Sequence, residues 1–375
     1  MKMYAVIGAN FGDEGKGLVT NKLAEKLTNV IVVRHNGGAQ AGHTVCKRFD
    51  KRTIRHVFHH IGSGYLSNAD TYLSEKFILN PILLRREIDE LYEETKNVRV
   101  NRINIFVNPN CRISTIYDMI ANQNSKENMA HGSCGVGIFQ TIKRDEKIPF
   151  TFSMLLKMTI EEILKKLKTV KDYYGIDISS TASELFLQDL FFLKDNCVMK
   201  DLSFLSGYDN VIFEGAQGLM LDEEYKFFPN VTPSATGLKN PVDIANELNV
   251  TSMEVYFVTR TYFTRHGNGP LPNRDTSLIY KDDTNIYNSF QGIINFAPLD
   301  INILRDNIIG ECDRNRIKLK KHLVVTHMDQ TAVVNFIQDE EYVNKTQNGF
   351  TKDLRSYFPD FELHFSYDAR GENIF

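Results

Sequence analysis

A glycine-rich stretch near the start of the chain carries residues that could bind and transfer phosphate. Residues 12–17 read Gly-Asp-Glu-Gly-Lys-Gly. Glycines let backbone N–H groups approach phosphate oxygens, Lys16 adds a positive charge, and Asp13 could hold Mg²⁺ or act as a base. The stretch is not a Walker loop, because Gly17 stands where that loop has Ser or Thr. Taken alone, it also fits a tight turn with a solvated lysine.

The residues on either side of this stretch predict a strand before it and a helix after it. Residues 4–7 form a short apolar run typical of a buried strand. Val19, Leu23 and Leu27 have the spacing of one helix face. A turn into a helix N-terminus presents unpaired N–H groups and the positive end of the helix dipole to an anion. The sequence therefore predicts a phosphate site at the first turn of this helix.

A second polar loop follows the next apolar run. Residues 30–33 read Val-Ile-Val-Val, and residues 34–45 are rich in small and amide side chains and include His43. Ligands of α/β proteins bind outside the carboxyl ends of parallel strands. We therefore expect the two loops to lie side by side.

Together the two loops resemble those of the adenylosuccinate synthetase family. The matching patterns are Gly-Asp-Glu-Gly-Lys-Gly at 12–17 and Gly-Gly-x-x-Ala-Gly-His-Thr-Val at 37–45. Members join aspartate to C6 of a 6-oxopurine nucleotide after a nucleoside triphosphate has phosphorylated the C6 oxygen. The resemblance implies an α/β fold built as a single unit over residues 1–375, around a large, mainly parallel central sheet with ligand-binding loops at the strand ends. Helical periodicity predicts a helical excursion around 150–195.

The resemblance also implies a role for residues in both loops. Asp13 matches the base that removes the purine N1 proton, and His43 matches the acid near the γ-phosphate. Asp13 and the carbonyl of Gly42 would hold Mg²⁺. A packed loop histidine is the structural alternative for His43. The implied contacts to the donor phosphates are Gly12, Glu14, Gly15, Lys16, Gly17, Gly42 and Thr44.

Further motifs resemble the family's site for the purine monophosphate. Residues 213–218 read Phe-Glu-Gly-Ala-Gln-Gly, and a glycine-rich loop lies at 131–138. Beyond that loop, a family arginine reaches into the partner subunit of a homodimer. Arg144 is the candidate for this arginine, and a surface basic pair with Lys143 is the alternative. The implied monophosphate ligands are Asn10, Gln40, Ser133, Cys134, Arg144, Gln217 and Thr232.

Two departures from the family concern its other substrates. A family loop rich in arginine grips the aspartate carboxylates and the ribose hydroxyls, but the matching residues 291–300 contain no arginine. Gly292 and Arg274 are the candidates left for aspartate. The family's Thr-Lys-x-Asp, which reads the donor base, is represented by Thr326 and Asp329 with His327 in place of lysine.

With these departures, the chain resembles the phage branch of the family. That branch converts dGMP, aspartate and ATP to N6-succino-2-amino-2′-deoxyadenylate for diaminopurine DNA. A lost ribose contact suits a deoxyribonucleotide, and a carboxylate can accept from the N6 amino group of adenine. Asp13 argues the other way, because some members of that branch have serine there. The ordinary enzyme, with IMP and GTP, is the alternative. A non-catalytic nucleotide-binding regulator would need neither Asp13 nor His43.

Composition limits the remaining classes of protein. The chain has 375 residues, of which 42% are hydrophobic and 24% charged, with a net charge of −3. These values fit a folded protein and give no sign of a nucleic-acid partner. The five cysteines show no CxxC pair, which favours a reduced setting. No apolar run reaches the length of a membrane span. We expect a cytoplasmic protein, in the host cytoplasm if a phage encodes it.

Overall fold

A computed structural model of the chain describes residues 1–50, 52–125, 133–282 and 292–375. The helices in these ranges are α1 (Lys16–Lys26), α2 (Pro81–Thr95), α3 (Ile116–Asn124), α4 (Ile138–Asp145), α5 (Phe152–Lys157), α6 (Ile160–Tyr174), α7 (Ser180–Asn196), α8 (Lys239–Glu247), α9 (Ile301–Asp313) and α10 (Gln347–Tyr357).

The strands in the same ranges alternate with these helices over much of the chain. They are β1 (Lys2–Gly8), β2 (Val30–Arg34), β3 (His43–Phe49), β4 (Arg52–Phe58), β5 (Asp70–Leu73), β6 (Ile78–Leu79), β7 (Ile105–Val107), β8 (Arg112–Ile113), β9 (Cys197–Met199), β10 (Asn210–Gly218), β11 (Ser252–Arg260), β12 (Tyr262–Arg265), β13 (Asn295–Asp300), β14 (Lys318–Thr326), β15 (Val333–Gln338), β16 (Glu341–Thr346) and β17 (Glu362–Phe365).

Nine of these strands form one parallel sheet, in the order β17-β14-β11-β1-β10-β2-β5-β7-β9. β1 lies between β10 and β11, where Val6 pairs with Glu214 on one side and Tyr256 on the other. All the strands point the same way, so the loops after β1, β2, β10, β11 and β14 leave from one edge. The predicted α/β fold with a large parallel central sheet is confirmed.

Both faces of the sheet are covered, which explains why its strands are nearly continuous apolar runs. Ala5 and Ile7 of β1 belong to a buried cluster on one face. Val6 belongs to a second cluster on the other face, together with Val19 and Leu23 of α1. The predicted strand at 4–7 is thus confirmed, and so is the apolar helix face at Val19 and Leu23. Leu27 was predicted on the same face but lies just beyond the end of α1.

Smaller elements flank the main sheet. β12, β13, β15 and β16 form a four-stranded sheet, and β3 pairs with β4 in an antiparallel hairpin that starts at His43. Helices α5, α6 and α7 occupy most of 152–196, as the helical periodicity predicted. Within α6, Ile163 and Leu167 are buried, but Ile160 and Leu164 are about half exposed. In the described ranges, no helix combines the length and hydropathy of a membrane span.

Candidate active site

The glycine-rich loop between β1 and α1 needs glycine for two reasons. Gly12 and Gly15 have φ of 118° and 95°, a region that side chains disfavour. A Cβ on Gly12 would also lie 2.8 Å from the Cα of Gln217. The loop therefore packs directly on the backbone of the 213–218 motif, which brings together two stretches of sequence about two hundred residues apart.

Glu14 and Lys16 hold this loop together from inside. The Oε1 atom of Glu14 accepts hydrogen bonds from the backbone N–H groups of Asn10 at 3.1 Å and Gly12 at 2.8 Å. The Lys16 ammonium donates to the carbonyl of Gly12 at 2.6 Å and lies 3.5 Å from Glu14. Burial raises the pKa of Glu14, and Lys16 opposes that rise. Glu14 does not line the cavity described below, and its side chain holds the loop together. Its contact with the donor phosphates stays a prediction.

A cavity of about 330 Å³ opens beside this loop. It is walled by the glycine loop, the start of β3, the ends of β11 and β14, and the segment after β17. Its lining residues are Gly12, Asp13, Gly15, Lys16, Gly17, Leu18, Gly42, His43, Thr44, Cys46, Arg55, Arg260, Lys281, Asp282, Thr326, His327, Asp329, Gln330, Ser366, Asp368 and Ala369. Most of the predicted phosphate, metal and donor-base residues therefore meet in one place, because their loops leave the same edge of the sheet.

His43 is held in this wall by a carboxylate that the sequence analysis did not single out as a site residue. Its Nδ1 atom lies 2.8 Å from Oε1 of Glu214, and both side chains are almost fully buried. The other oxygen of Glu214 accepts from the N–H of Ser63 at 3.1 Å and lies 3.7 Å from the Arg34 guanidinium. Nδ1 faces Glu214, so Nε2 is the nitrogen left to act on a ligand.

Electrostatics favour an ionised Glu214 and a neutral His43. Burial alone would raise the pKa of Glu214, but His43, Arg34 and the N–H of Ser63 outweigh it and lower the pKa to about 2. Burial lowers the pKa of His43 to about 4, with Glu214 opposing and Arg34 assisting. A neutral imidazole with its proton on Nδ1 keeps a lone pair on Nε2.

Asp13 lies at the mouth of the cavity with its carboxylate about a quarter exposed. Its Oδ2 atom is 3.6 Å from Nε2 of His266, and its backbone carbonyl accepts a short hydrogen bond from Arg260. Arg260 also pairs with Asp282 at 3.0 Å. The sequence analysis gave roles to neither Arg260 nor His266. Arg260 is the last residue of β11, and His266 directly follows β12. The available signal was their position at the carboxyl ends of these two strands.

The far end of the cavity is formed by the end of β14. Thr326 donates a hydrogen bond to the carbonyl of Glu14 at 2.7 Å, which ties β14 to the glycine loop. His327 follows with φ of 60°, and its Nδ1 atom lies 2.8 Å from Oγ1 of Thr326. Burial, aided by Arg260, lowers the pKa of His327 well below its usual range, so this residue supplies a neutral ring where Asp329 supplies a carboxylate.

Comparison with known proteins assigns this arrangement to a family. The family model described as adenylosuccinate synthetase matches residues 5–288. The chain belongs to the adenylosuccinate synthetase family. Adenylosuccinate synthetases of Francisella tularensis subsp. tularensis and subsp. novicida are 31% and 30% identical to it over 290 residues. The matched region is 72% of this chain and spans 65% of the length of those relatives.

Two solved structures share the fold with the chain along its whole length. Fully ligated adenylosuccinate synthetase from Plasmodium falciparum has a TM-score of 0.74 and 17% identity, and 99% of it is covered. Cyanophage S-2L succinoaminodeoxyadenylate synthetase, bound to dGMP and to dATP as energy donor, has a TM-score of 0.65 and 15% identity, and 95% of it is covered.

The residues matched to the family's monophosphate site lie near the cavity but outside its lining. Gln217 has φ of 63° and packs on Gly12. Asn10 is buried and donates to Oγ1 of Thr259 at 2.8 Å. The amide of Gln40 is buried without a hydrogen-bond partner among the described residues. The backbone N–H of Thr232 donates to Leu221 at 2.8 Å. The monophosphate roles of these residues stay predictions.

The glycine loop at 131–138 is described only from Ser133 onward, and residues 126–132 lie outside the described part. Ser133 donates to Oδ1 of Asn122 at 3.0 Å. Burial raises the pKa of the Cys134 thiol to about 11. Neither side chain lines the cavity, and their contact with a phosphate stays a prediction.

Arg144 is buried inside the chain. It pairs with Asp118 at 2.9 Å and donates to the carbonyls of Ile113 at 2.7 Å and Ile148 at 3.1 Å, which ties α4 to α3. Its side chain is fully buried, so the alternative of a surface basic pair is wrong. The role of Arg144 across a dimer interface stays a prediction.

The candidates for aspartate binding do not line the cavity either. Arg274 is exposed, and Gly292 has φ of 73°, with no neighbouring atom of the described residues within 4 Å of where its Cβ would lie. Residues 283–291 lie outside the described part of the chain, and this range includes Gln291, where the segment matched to the arginine loop begins. The roles of Arg274 and Gly292 stay predictions.

Proposed function

We propose that the chain is a carbon–nitrogen ligase that joins L-aspartate to C6 of a 6-oxopurine nucleotide through a 6-phosphoryl intermediate. The observation that carries this proposal is the meeting of Asp13, Lys16 and His43 at one cavity beside a helix N-terminus. Phosphoryl transfer depends mainly on positioning and on stabilising the developing negative charge. A carboxylate base, an ammonium and an imidazole around one cavity supply both.

In the proposed reaction, the Asp13 carboxylate takes the N1 proton of the purine, so that the C6 oxygen can attack the γ-phosphate. Lys16 and the N–H groups at the start of α1 stabilise charge on the transferred phosphate. A bound phosphate favours the protonated form of His43, so its Nε2–H donates to the transferred phosphate while Glu214 orients the ring through Nδ1. The aspartate amine then displaces phosphate from C6. Phosphorylation is needed first because the C6 oxygen is otherwise a poor leaving group.

The residues at the cavity fit Mg²⁺, which prefers oxygen ligands and keeps several waters. Asp13 and Gly42 both line the cavity, and the Asp13 carboxylate is partly exposed, so the Asp13 carboxylate and the Gly42 carbonyl are the groups that would hold the ion. When bound there, Mg²⁺ would neutralise charge on the donor phosphates.

For the nucleotide, we propose dGMP, with ATP as the donor. Residues 292–300 hold no arginine where the family carries the arginines that grip ribose hydroxyls and aspartate. A neutral His327 replaces the family's lysine beside Asp329, which suits a base other than guanine. The cyanophage S-2L enzyme of the same fold was solved with dGMP and dATP, so the fold accommodates that pair.

The ordinary reaction with IMP and GTP is the second candidate, and Asp13 favours it, because some members of the phage branch have serine at that position. We also propose a homodimer, as in the family.

Phosphate release with aspartate and Mg²⁺ tests these proposals, with IMP, GMP and dGMP each crossed against ATP and GTP. Turnover with dGMP and ATP would support diaminopurine synthesis. Turnover with IMP and GTP alone would make the chain an ordinary adenylosuccinate synthetase. Nucleotide binding without phosphate release from any pair would contradict ligase activity and favour a regulator. Asp13→Asn is the matched control, since it removes the proposed base while keeping the side-chain size.

A further inference from the structure

A cluster of metal-ligating side chains lies on the main sheet outside the cavity. His322 of β14 pairs in register with Glu362 of β17, and His364 follows two residues later on the same face of β17. The Nδ1 atom of His322 is 3.0 Å from Nε2 of His364 and 3.4 Å from a carboxylate oxygen of Glu362. One ligand atom from each of the three residues can be chosen so that the three atoms all lie within 4.8 Å of one another.

These separations fit a tetrahedral site for a transition metal. Ligand nitrogens about 2.0–2.1 Å from Zn²⁺ lie roughly 3.3 Å from one another at tetrahedral angles. The distances of 3.0 and 3.4 Å around Nδ1 of His322 need only small adjustments to reach that value. Two imidazoles and one carboxylate form a ligand set that Zn²⁺ accepts, with a water in the fourth position.

The ring nitrogen of His322 that points away from the cluster, Nε2, has the kind of partner found in metal sites. This atom lies 3.2 Å from the carboxylate of Glu254. In the tautomer with the proton on Nε2, where it faces this carboxylate, Nδ1 presents a lone pair toward His364. Carboxylates that orient metal-bound histidines in this way are a general feature of zinc sites. The ring is also fixed by stacking on Tyr256, at 4.2 Å between centroids and an angle of 6°.

The His364 ring is held in place from the other side. Phe375 packs edge-on against it at 5.0 Å between ring centroids. His322 is buried, His364 is half-buried and Glu362 is exposed, which leaves an open path for an ion and for a water ligand. Lys320 pairs with Glu362 at 3.4 Å, but its side chain is about half exposed and can turn to solvent when an ion binds.

We propose that His322, Glu362 and His364 form a binding site for a single Zn²⁺ ion, independent of the Mg²⁺ proposed at the cavity. The ion cross-links the edge strand β17 to β14. The chain between β17 and the last residue continues through Ser366, Asp368 and Ala369, which line the cavity. Binding therefore stabilises the segment that closes one wall of the donor site.

The experiment uses the full chain without affinity-tag histidines, stripped with a chelator and kept in excess Mg²⁺ to occupy the cavity. Zn²⁺ affinity is measured by competition with a chromophoric chelator, and Co²⁺ is used as a spectroscopic probe of coordination. We expect one tight equivalent, a tetrahedral Co²⁺ absorption band and a higher midpoint of thermal unfolding with Zn²⁺. His364→Ala and Glu362→Gln should each weaken Zn²⁺ binding at least tenfold.

Glu341→Gln is the matched control, because it neutralises an exposed carboxylate on β16 far from the cluster and should leave the affinity unchanged. Glu362 is exposed, so its substitution keeps the fold even if His364→Ala does not. The proposal is overturned if the wild-type chain retains no Zn²⁺ in excess Mg²⁺. It is equally overturned if Glu362→Gln binds Zn²⁺ as tightly as wild type, since an adventitious ion elsewhere would then account for the binding.

Discussion

The Nδ1 atom of His43 lies 2.8 Å from Oε1 of Glu214, and the pair links the start of β3 to the middle strands of the sheet. Glu214 is fully buried and ionised, so it orients the imidazole without reaching the cavity itself. This makes Glu214 a positioning residue for His43 in the proposed ligase.

His43→Asn should lower kcat for phosphate release about 10²- to 10⁴-fold, the range typical for loss of an acid–base group. The KM values of the nucleotides should change little, because the N–H groups and Lys16 that bind phosphate remain. Steady-state kinetics with the active nucleotide pair measure both quantities. A large rise in KM with kcat unchanged would show that His43 only binds.

Glu214→Gln should lower kcat by about 10- to 100-fold, which is no more than the loss expected from removing His43 itself. The double variant should be no slower than His43→Asn alone, because Glu214 acts through His43. The assay belongs at low temperature, since the buried Arg34 guanidinium loses its partner and the free energy of unfolding falls by about 3 kcal/mol. Additive losses in the double variant would contradict this coupling.

Lys16→Met should weaken binding of the donor triphosphate about 10- to 100-fold, as expected for one charge-assisted hydrogen bond of about 1.5–3 kcal/mol. Lys16 is buried and lines the cavity at the first turn of α1. Titration calorimetry with a non-hydrolysable triphosphate provides the measurement. Lys26→Met, in the exposed last turn of the same helix, is the control and should bind normally. Equal losses in the two variants would point to a defect of the helix instead.

Stability should depend on pH through His35. Burial, assisted by Arg34, lowers the pKa of this residue to about 3 from an ordinary value of 6.5. The unfolded chain therefore takes up the proton first as the pH falls below 6.5, and folding loses free energy. The loss reaches about 3 kcal/mol at pH 4 if His35 stays neutral in the fold.

Urea unfolding between pH 7 and pH 4 measures this dependence, roughly over the range in which an unfolded histidine titrates. His35→Gln should reduce the slope, whatever its effect on stability at pH 7, and other buried histidines with a lowered pKa, such as His43 and His327, should account for what remains. A variant with an unchanged slope would show that other groups carry the pH dependence.

Arg144→Met should reduce the free energy of unfolding by about 3 kcal/mol, because it leaves the Asp118 carboxylate buried beside no guanidinium. The adjacent Lys143→Met is the control, since Lys143 is exposed and should change stability by less than about 0.5 kcal/mol. Urea unfolding of both variants provides the comparison. Normal stability in Arg144→Met, with a weakened monophosphate KM, would restore the role across a dimer interface that the sequence resemblance suggested.

The sequence by itself determined the α/β fold and much of the cavity. A parallel sheet is buried on both faces, so its strands appear in the sequence as apolar runs such as 30–33. The helix that covers it shows apolar residues at helical spacing, such as Val19 and Leu23. The glycines at 12 and 15 mark a backbone that other residues cannot adopt. These signals are local, so a single stretch of sequence reveals them.

Tertiary structure decided which distant residues act on one another. Glu214 meets His43, Arg260 meets the carbonyl of Asp13, and His322 meets Glu362 only because parallel strands set the register between them. In the sequence, Arg144 stands beside another basic residue and looks like a surface residue. In the structure its guanidinium is buried, paired with Asp118 and hydrogen-bonded to two backbone carbonyls. No local pattern encodes such pairings, because their energy comes from burial and charge between elements far apart in the chain.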